Sequence, residues 1–330
     1  MRNINGICFS CCQEKKLSEE HIIPQALGGK LSAWIYCKDC NDQFGKEIDS
    51  ELIERIGYLG IALGIKRERG KSQSYDVTSV KNGTELTFDG KEFKRKKPVV
   101  KIEKESNKVK SVDIRARTQE ELKRLSANIS KKYGLTDEIK HFEEHHPGPT
   151  DTVTELVFDN PLIRRCISKI AYSLVCTKLP SDIVLSDFFD EIRNYIKFGS
   201  TTHLATANYV HTSFMTDNIR PLHKVHISLN RSKCLIIGFV SLFGTFRYTA
   251  LLSRTFKSSF DWPGLDHTID PVTSKEIYGN PNYRAPELEI SEILSPRQSK
   301  QLVLGELAKG YRILEDYRGD YQFLKIETED

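Results

Sequence analysis

Hydrophobic positions along this chain switch between the helical and the strand period. Between 41 and 56, Phe44, Ile48, Leu52, Ile53 and Ile56 recur at helical spacing and predict a helix with one buried face. Alternation in 99–104 and 108–115 predicts two strands joined near Ser106-Asn107. Thr118, with Glu121 three residues later, is a capping pattern that opens a helix ending near Lys132-Tyr133-Gly134. A strongly apolar helix follows at about 160–178 and another at 187–196. Antiparallel strands are expected at 224–229, 234–243 and 245–252, with Gly244 at a turn, and a last helix at 298–315. The mixture predicts an α+β protein whose C-terminal region carries antiparallel strands.

In the first forty residues cysteine carries the signal. Cys8 and Cys11 form one C-x2-C pair, and Cys37 and Cys40 form another. Four soft thiolates so arranged can surround one tetrahedral Zn²⁺, which replaces much of the core that so short a segment cannot build. Cys12 offers an alternative ligand, but the two-residue spacing from Cys8 favours Cys11. With four protein ligands the zinc is structural, so chemistry must come from what it holds in place. The enclosed stretch Glu20-His21-Ile22-Ile23-Pro24 supplies a carboxylate and an imidazole, and Asn41 directly follows the last cysteine.

His21 is the first of the nine histidines and the only one before position 141. A neutral imidazole can take a proton from water, which makes His21 the candidate general base for attack on phosphorus. Glu20 and Asn41 offer oxygen donors, which with waters suit Mg²⁺ or Mn²⁺ better than zinc. Neighbours on a strand point to opposite faces, so Glu20 and His21 serve one site only if the backbone bends there. Asp42 and Asp49 are expected as solvated helix positions.

The run Cys8-x2-Cys11, then Glu20-His21-Ile22-Ile23-Pro24-Gln25-Ala26-Leu27-Gly28-Gly29, then Cys37-Lys38-Asp39-Cys40-Asn41 and Phe44-Gly45 resembles the zinc-containing branch of the HNH endonucleases. The resemblance covers about residues 5–57. It implies a β-hairpin and helix clasped around a catalytic divalent metal, the ββα-metal fold, standing on a structural zinc knuckle. Two departures are visible. Gly45 stands where some members place a second helix ligand, and no asparagine lies between Gly29 and Cys37, where the family's middle asparagine belongs. Ser32 or a backbone carbonyl is left to orient His21.

The chain has 330 residues, 28% of them charged, and a net charge of +4, which alone argues little for nucleic acid. The charge is uneven: eleven Lys/Arg face four Asp/Glu between Lys91 and Arg117. Lys94, Arg95, Lys96 and Lys97 are candidate phosphate contacts, with a solvated lysine-rich ribbon as the competing reading. His141 to Pro149 reads as a polar linker. No apolar run is long enough for a membrane span, the N-terminus has no signal-peptide core, and zinc-spaced cysteines suit a reducing cytoplasm. The expected division is a nuclease domain over 1–75, a basic hairpin and helix over 76–140, and an α+β region over 150–330 for target recognition, sensing or oligomerisation. The sequence thus predicts a metal-dependent endonuclease acting on DNA, with RNA as a second substrate class. Restriction or anti-phage defence is a setting suggested by family habit alone. A zinc-knuckle regulator that binds nucleic acid without cutting it is the alternative.

Overall fold

In a computed structural model, the cysteine-rich segment folds as strands β1 (Asn5–Ile7), β2 (Glu14–His21) and β3 (Ser32–Cys37), a three-stranded antiparallel sheet. The structure describes residues 4–66, 74–80, 83–106, 108–135, 152–153, 156–212, 215, 219–257, 262, 264–278 and 286–318. The stretch 141–149, expected as a linker, lies outside them.

A long helical rod follows β3: α1 (Lys38–Phe44), a π turn (Gly45–Asp49) and α2 (Ser50–Ala62). It opens at Lys38, three residues before the expected start, so Cys40 and Asn41 lie in its first turns. Phe44, Ile48, Leu52 and Ile56 are all fully buried. A spacing of four overshoots the 3.6 residues of an α-turn, and the wider π turn takes up part of that overshoot.

The chain divides into two compact units, one of residues 1–69 with 157–330 and the other of 70–156. The cysteine-rich segment therefore shares a core with the C-terminal region, although the sequence suggested separate domains. That core is built on α4 (Pro161–Lys178), whose first turn is capped by the Asn160 side chain accepting from Ile163 N–H. One face of α4 meets β3 and the rod, and the opposite face packs on a six-stranded antiparallel sheet. The sheet strands are β10 (Ala205–Ala207), β11 (His223–Asn230), β12 (Leu235–Leu242), β13 (Phe246–Ser253), β14 (Leu265–Asp270) and β15 (Lys275–Glu276), in the order β10-β13-β12-β11-β14-β15. β12 and β13 are buried along their whole length, as strands covered on both faces should be. Phe243 and Gly244 both take positive φ in the tight turn joining them, where Thr245 N–H donates to Leu242 O. Helices α5 (Ser181–Val184), α6 (Asp190–Phe198), α7 (Ile290–Leu294) and, near the C-terminal end, α8 (Lys300–Arg318) complete this unit; Tyr311 of α8 hydrogen-bonds Tyr58 of α2.

The second unit holds β4 (Tyr75–Ser79), β5 (Glu85–Phe88), β6 (Phe93–Arg95) and β9 (Thr152–Val153) in one sheet. Its β7 (Val99–Glu105) and β8 (Lys108–Arg115) form a two-stranded ribbon, followed by α3 (Gln119–Tyr133). The ribbon and helix fall where alternation and capping placed them: Thr118 Oγ1 accepts from Glu121 N–H, and Gly134 closes α3 with φ +65°.

Candidate active site on the zinc knuckle

The four expected zinc ligands come together. The sulfur atoms of Cys8, Cys11, Cys37 and Cys40 all lie within 4.8 Å of one another, with 4.0 Å between those of Cys11 and Cys37. Zn–S bonds of about 2.3 Å in a tetrahedron require sulfurs about 3.8 Å apart, so a small contraction around an ion completes the site. Local backbone structure makes this possible. Cys12 N–H donates to Cys8 O at 2.8 Å in the turn between β1 and β2, and Phe9 N–H donates to Ile35 O at 2.9 Å. Cys37 ends β3 and Cys40 follows within the first turn of α1. Without a cation the thiols compete for ionisation: hydrogen bonding from Cys40 pulls Cys8 down to about 4, while the same contact pushes Cys40 up. A dication removes that competition by taking all four as thiolates.

β2 carries the candidate chemistry. Its alternation, offset by a register shift between Ser18 and Glu19, buries Glu20 and leaves Glu19 and His21 on the opposite face. His21 is half-buried at the strand end, opposite Ser32 of β3. Among the described residues no group hydrogen-bonds its imidazole. Ser32, considered as its orienting partner, instead donates to Glu19 Oε1 at 2.8 Å. Asn41 lies against the same strand, its Nδ2 donating to Ser18 Oγ and to Glu19 O, both at 3.0 Å. This leaves the amide carbonyl as its remaining donor atom for a cation.

Glu20 departs from its expected role. Its carboxylate turns into the core and ion-pairs with Lys169 of α4. Asp49, expected in solvent, is buried beside it and receives the same ammonium at 2.8 and 2.6 Å. Burial opposes the charge on Lys169, but Asp49 and Glu20 outweigh it and hold the ammonium above the ordinary lysine range. Burial and the neighbouring Asp49 push Glu20 up. A divalent metal held jointly by Glu20 and Asn41 therefore does not fit this arrangement: Glu20 is committed to an internal cation, which leaves only the Asn41 amide carbonyl. Sequence reasoning missed Lys169. The available signal was a lysine inside the apolar run Cys166-Ile167-Ser168-Lys169-Ile170-Ala171, which requires a buried counter-charge.

The C-terminal region holds the knuckle on several other bonds. Tyr36 and Ser173 share a buried hydrogen bond of 2.9 Å, and Tyr172 Oη donates to Phe9 O at 3.1 Å. His223 joins the Leu27 carbonyl, just after Pro24, to the β12–β13 turn: its Nε2 lies 2.7 Å from Leu27 O, and Phe243 N–H donates to its Nδ1 at 3.0 Å.

The basic stretch of the second unit is largely self-neutralised. Lys94 pairs with Asp89 at 2.9 Å, Lys96 with Asp76 at 2.7 Å and Lys97 with Glu85 at 3.2 Å. Arg95 is buried, because strand alternation turns it inward. Among the described residues no helix is long and apolar enough to cross a membrane.

No curated protein and no solved structure matches the chain. Residues 7–56, which contain the four cysteines, His21 and Asn41, match the HNH endonuclease family.

Proposed function

We propose that this protein is an endonuclease that hydrolyses phosphodiester bonds in DNA, with His21 as the general base. The observation that carries the reading is the family match over 7–56 together with the cysteine cluster inside it. A zinc-clamped scaffold of this kind holds an imidazole at the end of a strand, with no hydrogen-bond partner among the described residues. From there His21 can accept a proton from the water that attacks phosphorus, the role a neutral imidazole suits. A Mg²⁺ or Mn²⁺ ion would stabilise charge on the phosphate oxygens, as the family's chemistry calls for. Asn41 is the proposed donor nearest the strand. Glu20 is already paired with Lys169.

The reading extends to nucleic acid as the partner and leaves restriction or phage defence as a setting to be tested in cells. A cleavage assay on supercoiled plasmid and on RNA, with and without Mg²⁺ or Mn²⁺, tests it. Metal-dependent nicking of plasmid supports it, and binding without cleavage under every condition replaces it with the regulator reading.

A further inference from the structure

α4 contributes a charge where its sequence pattern calls for an apolar residue. The Lys169 side chain is 0% exposed, and those of Glu20 and Asp49 are 6% and 12% exposed. One ammonium meets three carboxylate oxygens from two different elements: the penultimate residue of β2 and the last residue of the π turn. Cys166, one turn earlier on α4, directs its thiol to Asp49 Oδ1 at 3.3 Å. An apolar side chain would fill the same space without desolvating an ammonium, so the contribution of Lys169 is its hold on two carboxylates that would otherwise repel each other. His21 is covalently next to one of them. Lys169 also lies far beyond the 7–56 segment that matches the nuclease family.

We propose that Lys169 is a positioning residue of the nuclease site: its ammonium, and not a divalent cation, is the partner of Glu20, and with Asp49 it fixes the strand that presents His21 against α4. The C-terminal region thereby supplies an internal cation that the N-terminal segment lacks. The positioning role rests on the endonuclease reading; the ion triad does not.

The test compares the full-length zinc-loaded protein with Glu20→Gln, Lys169→Met and the double variant, with Asn41→Ala as a control. Mn²⁺ binding is followed by electron paramagnetic resonance, urea unfolding gives a double-mutant cycle, and plasmid nicking gives kcat and KM. The triad requires that Glu20→Gln leave the Mn²⁺ Kd within about twofold of wild type and that the two single substitutions be strongly non-additive in stability. Positioning requires that Lys169→Met, with full zinc content, lower kcat on the order of a hundredfold at unchanged KM. A tenfold or greater loss of Mn²⁺ affinity in Glu20→Gln, or additive stability effects, would overturn the assignment. Should Lys169→Met fail to fold, ¹⁵N-lysine NMR of the wild type decides: one ammonium protected from exchange supports the triad, and none refutes it. If the wild type cuts nothing, the positioning role falls with the nuclease reading, while the cycle still judges the triad.

Discussion

Acidification should loosen the joint between the N-terminal hairpin and the C-terminal sheet through one residue, His223. The imidazole is fully buried, accepts from Phe243 N–H and faces the Leu27 carbonyl, which fixes it as the neutral form with its proton on Nε2. Burial lowers its pKa from 6.5 to about 4, against the pull of the Leu27 carbonyl. Because the folded value is depressed, the associated stability is complete above the unfolded value of 6.5 and is lost as pH falls towards about 4. At about 1.4 kcal/mol per unit, the total lost across that window is about 3 kcal/mol. Protonation would also take away the lone pair that Phe243 N–H donates to, leaving a buried donor unsatisfied. Urea unfolding of wild type and His223→Gln near pH 7.5 and about pH 4.5 reads the effect. The glutamine variant cannot titrate, so wild type should lose about 2 to 3 kcal/mol more than the variant on acidification. Zinc release in acid acts on both proteins and cancels in the difference. Equal pH dependence would refute the assignment of His223 as a neutral buried link.

Three other outcomes follow. Cys40→Ser should bind zinc poorly and unfold β1 to α1, because metal affinity there is folding free energy; metal analysis with circular dichroism checks it, and a folded zinc-free variant would count against it. Gly29→Ala should destabilise the loop after His21, since a Cβ there would lie 1.9 Å from the Ile23 carbonyl oxygen; a denaturation midpoint equal to wild type would exclude that clash. Replacing Lys94, Lys96 and Lys97 by Gln should flatten the salt dependence of DNA binding by less than one log-log unit per residue, because each lysine already faces a carboxylate; a drop of about three units would restore them as phosphate contacts.

The zinc ligands were legible because C-x2-C spacing is a covalent constraint that local sequence states directly, and the 4.8 Å cluster agrees with it. The ribbon, α3 and the strands around Gly244 were legible for a similar reason: alternation, caps and turns are local signals. What the sequence hid is what depends on contacts between distant segments. Glu20 reads as a metal donor and Asp49 as a solvated helix position until Lys169 arrives from α4, more than a hundred residues later in the chain. His223 likewise acquires its role only when β11 meets Leu27. The start of the rod was misplaced because Asn41 suits a helix cap, whereas closing Cys40 onto the knuckle requires helix from Lys38. For the charge run 94–97 the sequence left phosphate contacts and a solvated ribbon both open, because Asp76 and Glu85, the partners of Lys96 and Lys97, are distant in sequence, although Asp89 stands only five residues before Lys94.

The central claim is that the knuckle presents His21 as the base for phosphodiester hydrolysis, and nicking of supercoiled plasmid by wild type and His21→Ala tests it most directly. Both proteins should carry about one zinc per chain and unfold at the same midpoint, since His21 makes no hydrogen bond within the described structure. Wild type should nick the plasmid in the presence of Mg²⁺ or Mn²⁺, and His21→Ala should be slower by at least about a hundredfold. Cleavage by His21→Ala at the wild-type rate would contradict the account and place the base elsewhere.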